Sequence, residues 1–314
     1  MSTPTKLIAF LVGLAAVFAG SVGAGVLVPQ VMGSGTPDAG AHEGGHTTGT
    51  TSADDNESRP PGGLMIAEHG YTLALSENEL PAGDAIRLGF SIIGPDGEPV
   101  TDYTESHDKD LHLIVVRRDM TGFQHVHPTL DAEGAWSVPL TLEPGQWRVF
   151  ADFTPGGEDE NLTLGADLAV AGDYRPRPLP AAASSAEVDD YTVHLDGELE
   201  PGKESKMILT VTRDGEPVTD LQPYLAAYGH LVALRDGDLA YLHVHPAGTP
   251  GDGTTKAGPG ITFYATAPSS GDYRLFLDFR HRGTVRTAEF TANAGQLADN
   301  DNDNDKEQEA AHDH

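Results

Sequence analysis

At 314 residues the chain has room for about two domains. It has no cysteine, which excludes disulfide staples, thiolate zinc sites, iron–sulfur clusters and thiol nucleophiles. Asp and Glu number 48 against 19 Lys and Arg, a formal net charge of −29 that argues against a nucleic-acid partner. The 37 Gly and 22 Pro suit a turn-rich β protein better than a helical bundle.

After Lys6, residues 7–28 carry no charge. A helix of that length, at about 1.5 Å per residue, crosses a hydrocarbon core of roughly 30 Å. Residues 1–32 are therefore predicted to be an uncleaved signal-anchor, single-pass in the cell membrane, with the bulk of the chain extracytoplasmic. Cleavage near Ser21 or Gly25 would instead release a secreted protein. Residues 33–63, mostly Gly, Ser, Thr, Asp and Pro, are predicted to be a disordered spacer. Residues 293–314 form an acidic tail whose DNDNDND run lacks the Gly and Glu of a calcium loop. His42, His46, His312 and His314 fall in these polar segments.

The middle of the chain holds one unit twice. Gly97-Glu98-Pro99-Val100-Thr101-Asp102 recurs as Gly215-Glu216-Pro217-Val218-Thr219-Asp220, and His112, His125, His127 and Pro128 match His230, His243, His245 and Pro246 at the same offset. Further on, Trp147-Arg148-Val149-Phe150-Ala151-Asp152-Phe153 matches Tyr273-Arg274-Leu275-Phe276-Leu277-Asp278-Phe279. A repeat of this size is a whole domain. In the first copy, strands are predicted at 71–75, 85–92, 111–117, 123–127, 135–140, 146–153 and 162–170. In the second they are predicted at 191–195, 205–212, 231–234, 239–245, 260–265, 272–279 and 284–291. The fold class is therefore all-β: two tandem immunoglobulin-like or cupredoxin-like sandwiches, residues 64–172 and 187–292, joined by a proline-rich linker at 173–186.

Asp236-Gly237 is a two-residue hairpin signal. Closing on it pairs Leu234 with Leu239 and Val232 with Tyr241, which sets His230 opposite His243, with His245 on the same face. The first copy has the same spacing from His112 to His125. Asp152 and Asp278 each interrupt an apolar strand, where an unpaired carboxylate is costly. Metal ligation, a hydrogen bond to a ligand histidine, or a salt bridge to Arg148 or Arg274 would satisfy them. Two metal sites are expected: His112, His125 and His127 with Asp152, and His230, His243 and His245 with Asp278. Imidazole and carboxylate donors suit a divalent metal, copper first and zinc second. His69, His107, His194 and His281 have no counterpart in the other copy and are read as surface or accessory residues.

The segments Phe123-Gln124-His125-Val126-His127-Pro128 and Gly229-His230-Leu231-Val232-Ala233-Leu234, the latter followed by Tyr241-Leu242-His243-Val244-His245-Pro246, resemble a family of bacterial secreted or membrane-anchored heavy-metal-binding proteins. More remotely, the units are similar to copper-resistance and YtkA-like extracytoplasmic domains. The resemblance implies metal handling. The expected function is metal sequestration or delivery outside the membrane, without catalysis. The partners are the metal ion, the cytoplasmic membrane and an envelope protein. The alternatives are an immunoglobulin-like adhesion or envelope-interaction module without metal, and, third, a metal-dependent enzyme.

Overall fold

The computed structural model describes residues 60–242 and 244–295, which are strand, turn and loop throughout. No helix among them is long and apolar enough to cross a membrane. The apolar stretch 7–28, most of the predicted spacer and the acidic tail lie outside the described residues. All the described residues belong to one compact unit.

The first copy contains β1 (Ala67–Glu68), β2 (Tyr71–Leu75), β3 (Glu79–Leu80), β4 (Gly83–Ile93), β5 (Tyr103–Thr104), β6 (Leu111–Arg117), β7 (Gln124–Val126), β8 (Thr129–Leu130), β9 (Ala135–Leu142), β10 (Gly145–Pro155) and β11 (Leu162–Val170). The second contains β12 (Ser185–Val188), β13 (Tyr191–Asp196), β14 (Glu204–Arg213), β15 (Glu216–Pro217), β16 (Gly229–Arg235), β17 (Tyr241–Leu242), β18 (Val244–Pro246), β19 (Gly260–Thr266), β20 (Gly271–His281) and β21 (Thr284–Ala294). One sheet of the first copy has the order β1-β2-β4-β9-β8 and the other β3-β11-β10-β6-β7. The second copy repeats the plan with β12-β13-β14-β19-β18 against β17-β16-β20-β21. In each copy the first, second, fifth and fourth main strands share a sheet, and the third, sixth and seventh share the other. That is the immunoglobulin-like order. The parallel pairing of β3 with β11 fits it too, because the first strand switches sheets.

The strands of the outer sheets alternate. Strand β13 reads buried–exposed throughout, and β14 and β19 alternate over most of their length, so one face meets the core and the other water. The inner sheets do not alternate. All seven residues of β6 and the first six of β16 are buried. Leu111, Leu113 and Val115 enter the core of the first sandwich, and Leu231 and Ala233 enter that of the second. Their neighbours point the other way. Ile114, Val116, Met120 and Phe150 of the first copy form one buried cluster with Val232, Leu234, Leu239 and Phe276 of the second. The two sandwiches thus dock through the outer faces of their inner sheets. At the centre, Phe123 stacks on Phe276 with ring centroids 4.0 Å apart.

The hairpins keep the predicted faces but slip by two residues. Leu234 pairs with Tyr241 and Ala233 with Leu242, and in the first copy Ile114 pairs with His125. The expected tight turn on Asp236-Gly237 is replaced by a four-residue loop, closed by Leu239 N–H donating to the Arg235 carbonyl at 3.0 Å and Arg235 N–H to Ala240 at 2.9 Å. The Arg235 guanidinium grips Asp238, and this ion pair stabilises the longer loop. One further step along the first ladder sets His112 across from His127, where His125 was expected. In the second copy the described ladder includes Ala233 paired with Leu242, and the next strand, β18, crosses to the other sheet to pair with β19.

Two segments read as spacers are built in. Gly63 N–H donates to Thr163 of the first copy, and the carbonyl of Gly62 accepts from Tyr241 N–H of the second. Only glycine fits at 63, where φ is +74° and a Cβ would lie 2.4 Å from Phe150 Cδ1. In the linker, Arg177 N–H caps Asp119 and Leu179 packs against the apolar cluster between the sandwiches.

Truncating Phe276 removes a fully buried ring at this docking face. Phe276→Ala is expected to cost about 3 kcal/mol or more in denaturant unfolding. A cost below about 1 kcal/mol would mean that the sandwiches do not depend on this contact.

Candidate metal centre

Beside the apolar cluster, the same face of β6 presents His112. His125 comes from the neighbouring β7, and His127 follows two residues on. One nitrogen of each ring lies within 4.8 Å of the other two. His112 Nδ1 is 3.0 Å from His125 Nε2 and 3.2 Å from His127 Nε2. Tetrahedral bonds of 2.0–2.1 Å to one ion place its nitrogens about 3.3 Å apart.

The outer nitrogens fix where the protons sit. His112 Nε2 lies 2.9 Å from the Ser106 carbonyl, which can only accept, so Nε2 carries the hydrogen. His125 Nδ1 donates to Asp278 Oδ2 at 2.9 Å. In the neutral tautomers this leaves lone pairs on His112 Nδ1 and His125 Nε2, facing each other at 3.0 Å. Two facing lone pairs repel unless a proton or a cation lies between them. On His112 and His127 a proton is disfavoured. Burial, with the neighbouring His125 charge next, pushes His112 down to about 4. Burial together with His125 and His112 takes His127 to about 3. At neutral pH His112 and His127 are therefore neutral, the form in which an imidazole can act as a ligand. The Asp278–His125 hydrogen bond is the carboxylate–histidine pair that commonly orients a metal ligand.

The Ser106 carbonyl is held by a two-residue turn. Ser106 and Lys109 exchange backbone hydrogen bonds, and His107 and Asp108 have φ of 52° and 62°. The second copy repeats this with Tyr224 and Ala227 around Leu225 and Ala226. There His230 Nε2 donates to the carbonyls of Tyr224 and Leu225 at 2.9 and 3.0 Å. Burial, opposed by the Tyr224 hydrogen bond, lowers His230 to about 4. Its ring centroid is 6.4 Å from that of His112 and 6.1 Å from that of His125.

The expectation of one self-contained site per copy does not match this arrangement. His230 faces the first copy's trio because the inner sheets dock. His245 is exposed on β18, opposite Tyr264 in the other sheet. His243 lies outside the described residues. Among the described residues one three-histidine group forms. Asp278, expected beside the second trio, serves His125 of the first copy, and its other oxygen accepts from Thr287 Oγ1 at 2.6 Å. Asp152 pairs across strands with His112 and accepts from Asn161 and Thr163 at 3.0 and 2.7 Å. Neither aspartate takes an arginine. Arg148 binds Asp167 and the Gly63 and Leu64 carbonyls, and Arg274 binds Glu289 and Thr291.

The hydrogen-bonding roles of the Ser106 and Tyr224 carbonyls were not foreseen, and His107, read as a surface or accessory residue, lies beside His230. A usable signal was present: 111–117 and 230–235 are apolar on both faces, so histidines within them had to be buried and hydrogen-bonded.

A family model described as "Domain of unknown function (DUF8832)" matches residues 66–170 and 186–296, more than half of the chain. No curated protein matches in sequence. Among solved structures, an Escherichia coli adhesin, FdeC, is 14% identical over 73% of this chain and 65% of its own, with a TM-score of 0.23. The chain thus spans less than two thirds of that adhesin. A Salmonella alpha-2-macroglobulin mutant is 14% identical over 76% of this chain and 15% of its own, with a TM-score of 0.25. Invasin, a bacterial integrin-binding protein, is 13% identical over 71% and 39%, with a TM-score of 0.20.

Unfolding returns His112, His127 and His230 from about 4, 3 and 4 to the ordinary 6.5. Between those values the unfolded chain binds more protons, so stability is full above pH 6.5 and is lost as pH falls toward 4. Urea unfolding of metal-free protein at pH 7, 5.5 and 4.5 should show this steady fall. A flat profile would contradict the burial of these rings. Two of the trio also cease to compete with protons above about pH 5. In calorimetric titrations between pH 7 and 5, proton competition at His112 and His127 should therefore contribute nothing to the decline of metal affinity.

Proposed function

Because the chain belongs to the DUF8832 family, whose description names no activity, we propose its function from the site itself. It binds a divalent cation, copper(II) or zinc(II), at one composite centre. His112, His125 and His127 are the ligands, and Asp278 of the second copy orients His125. The observation that carries this is the pair of lone-pair nitrogens held 3.0 Å apart by outer partners that take the hydrogens. The net charge of −29 favours cation accumulation at the surface. The role is sequestration or delivery rather than turnover, in keeping with ligands buried between two sandwiches. The uncharged stretch 7–28 supports tethering of this unit outside the cytoplasmic membrane.

A second reading, an immunoglobulin-like envelope-interaction module without metal, is favoured by the tandem fold itself. In that case the histidines only bond the two sandwiches together.

Calorimetric titration of the full chain with Zn(II) and Cu(II) separates the two. Tight binding is expected for the wild type and for His245→Ala, and its loss for His125→Ala. Asp278→Asn should weaken affinity by roughly 10–100-fold. If His125→Ala binds as tightly as the wild type, the interaction-module reading stands and the metal centre is wrong.

A further inference from the structure

His107 has no role in the trio, yet its ring lies 5.2 Å from that of His230 and 6.2 Å from that of His112. The rings of the trio are themselves 5.0–5.3 Å apart. The His107–His230 centroid separation falls within that range, with the two rings close to perpendicular. His107 is exposed, whereas the trio and His230 are buried or half-buried. It occupies the first position of the left-handed turn, where the second copy carries Leu225, buried to 8% exposure. The turn is common to both copies, and the imidazole is not. On the His230 side, Nε2 is committed to two carbonyls, which leaves Nδ1 as the acceptor.

We infer that His107 and His230, one from each copy, form an outer and weaker divalent-cation position through which the ion reaches the buried trio. This rests on the trio as the principal site. Asp108 on this turn and Glu105 and Asp110 on either side of it outweigh the single Lys109 and raise the local cation concentration. An exposed ring beside a buried ligand set lets an ion exchange water for imidazole in steps. Without it the ion would be stripped of its water at once.

The test is Co(II) uptake by the full-length chain, followed by visible absorption in stopped flow. His107→Ala is compared with wild type and with His194→Ala, an exposed histidine on the outer sheet of the second sandwich. His107 is exposed, so its removal leaves the fold intact, and the terminal histidines are common to all three proteins. His107→Ala should fill the buried site roughly tenfold more slowly, the scale on which groups beside metal ligands act. Its final absorption band should be unchanged. Uptake as fast as in His194→Ala overturns the outer position and leaves the trio standing. Loss of the final band in His107→Ala also overturns it, since His107 would then be a ligand of the inner site. No saturable band in the wild type overturns the trio and, with it, this inference.

Discussion

Burying the outer faces of β6–β10 and β16–β20 against each other is the constraint on which the rest of this structure depends. A single immunoglobulin-like sandwich exposes that face, and His112, Asp152, His230 and Asp278 would sit there in water at no cost. Docking removes the water. His112, His230 and Asp278 are left 4–9% exposed. Each must then find a hydrogen-bond partner or lose on the order of 1–3 kcal/mol. The backbone turns at Ser106 and Tyr224, the hydroxyls of Thr163 and Thr287 and the Asp278–His125 bond meet that demand.

Satisfying the outer nitrogens creates the problem at the inner ones. Once Ser106 and Asp278 have taken the outer hydrogens, the facing nitrogens of His112 and His125 carry lone pairs in the neutral tautomers, and burial opposes protonating His112. The same low dielectric that makes the hydrogen bonds strong sharpens the repulsion between those lone pairs. In the proposed reading, a cation between the nitrogens relieves that repulsion. The apolar half of the interface, Ile114 and Val116 against Val232 and Leu234, contributes the docking energy, and the polar half contributes chemistry.

Much of the fold was legible because it rests on local rules. The duplicated motifs marked two domains, and alternation in β13, β14 and β19 marked half-buried strands. The convergence of His112, His125 and His127 was legible too, since the three share a face in either hairpin register. What the sequence hid was non-local. A two-residue register slip preserves the face, so periodicity cannot detect it, and the Arg235–Asp238 pair that lengthens the loop resembles ordinary turn chemistry. Duplication also suggested two equal sites. The copies differ at the His107/Leu225 position, and β18 departs to the opposite sheet, so His245 does not take the place of His127. Only the docking of one copy on the other reveals that Asp278 serves a histidine 153 residues away.

The most direct measurement is an anomalous-diffraction map of crystals grown with Zn(II), collected on both sides of the zinc edge. The strongest peak is predicted about 2.1 Å from His112 Nδ1, His125 Nε2 and His127 Nε2, with Asp278 still bonded to the far side of the His125 ring. A strongest peak at His245 or in either terminal segment, with the trio empty, would contradict the composite centre.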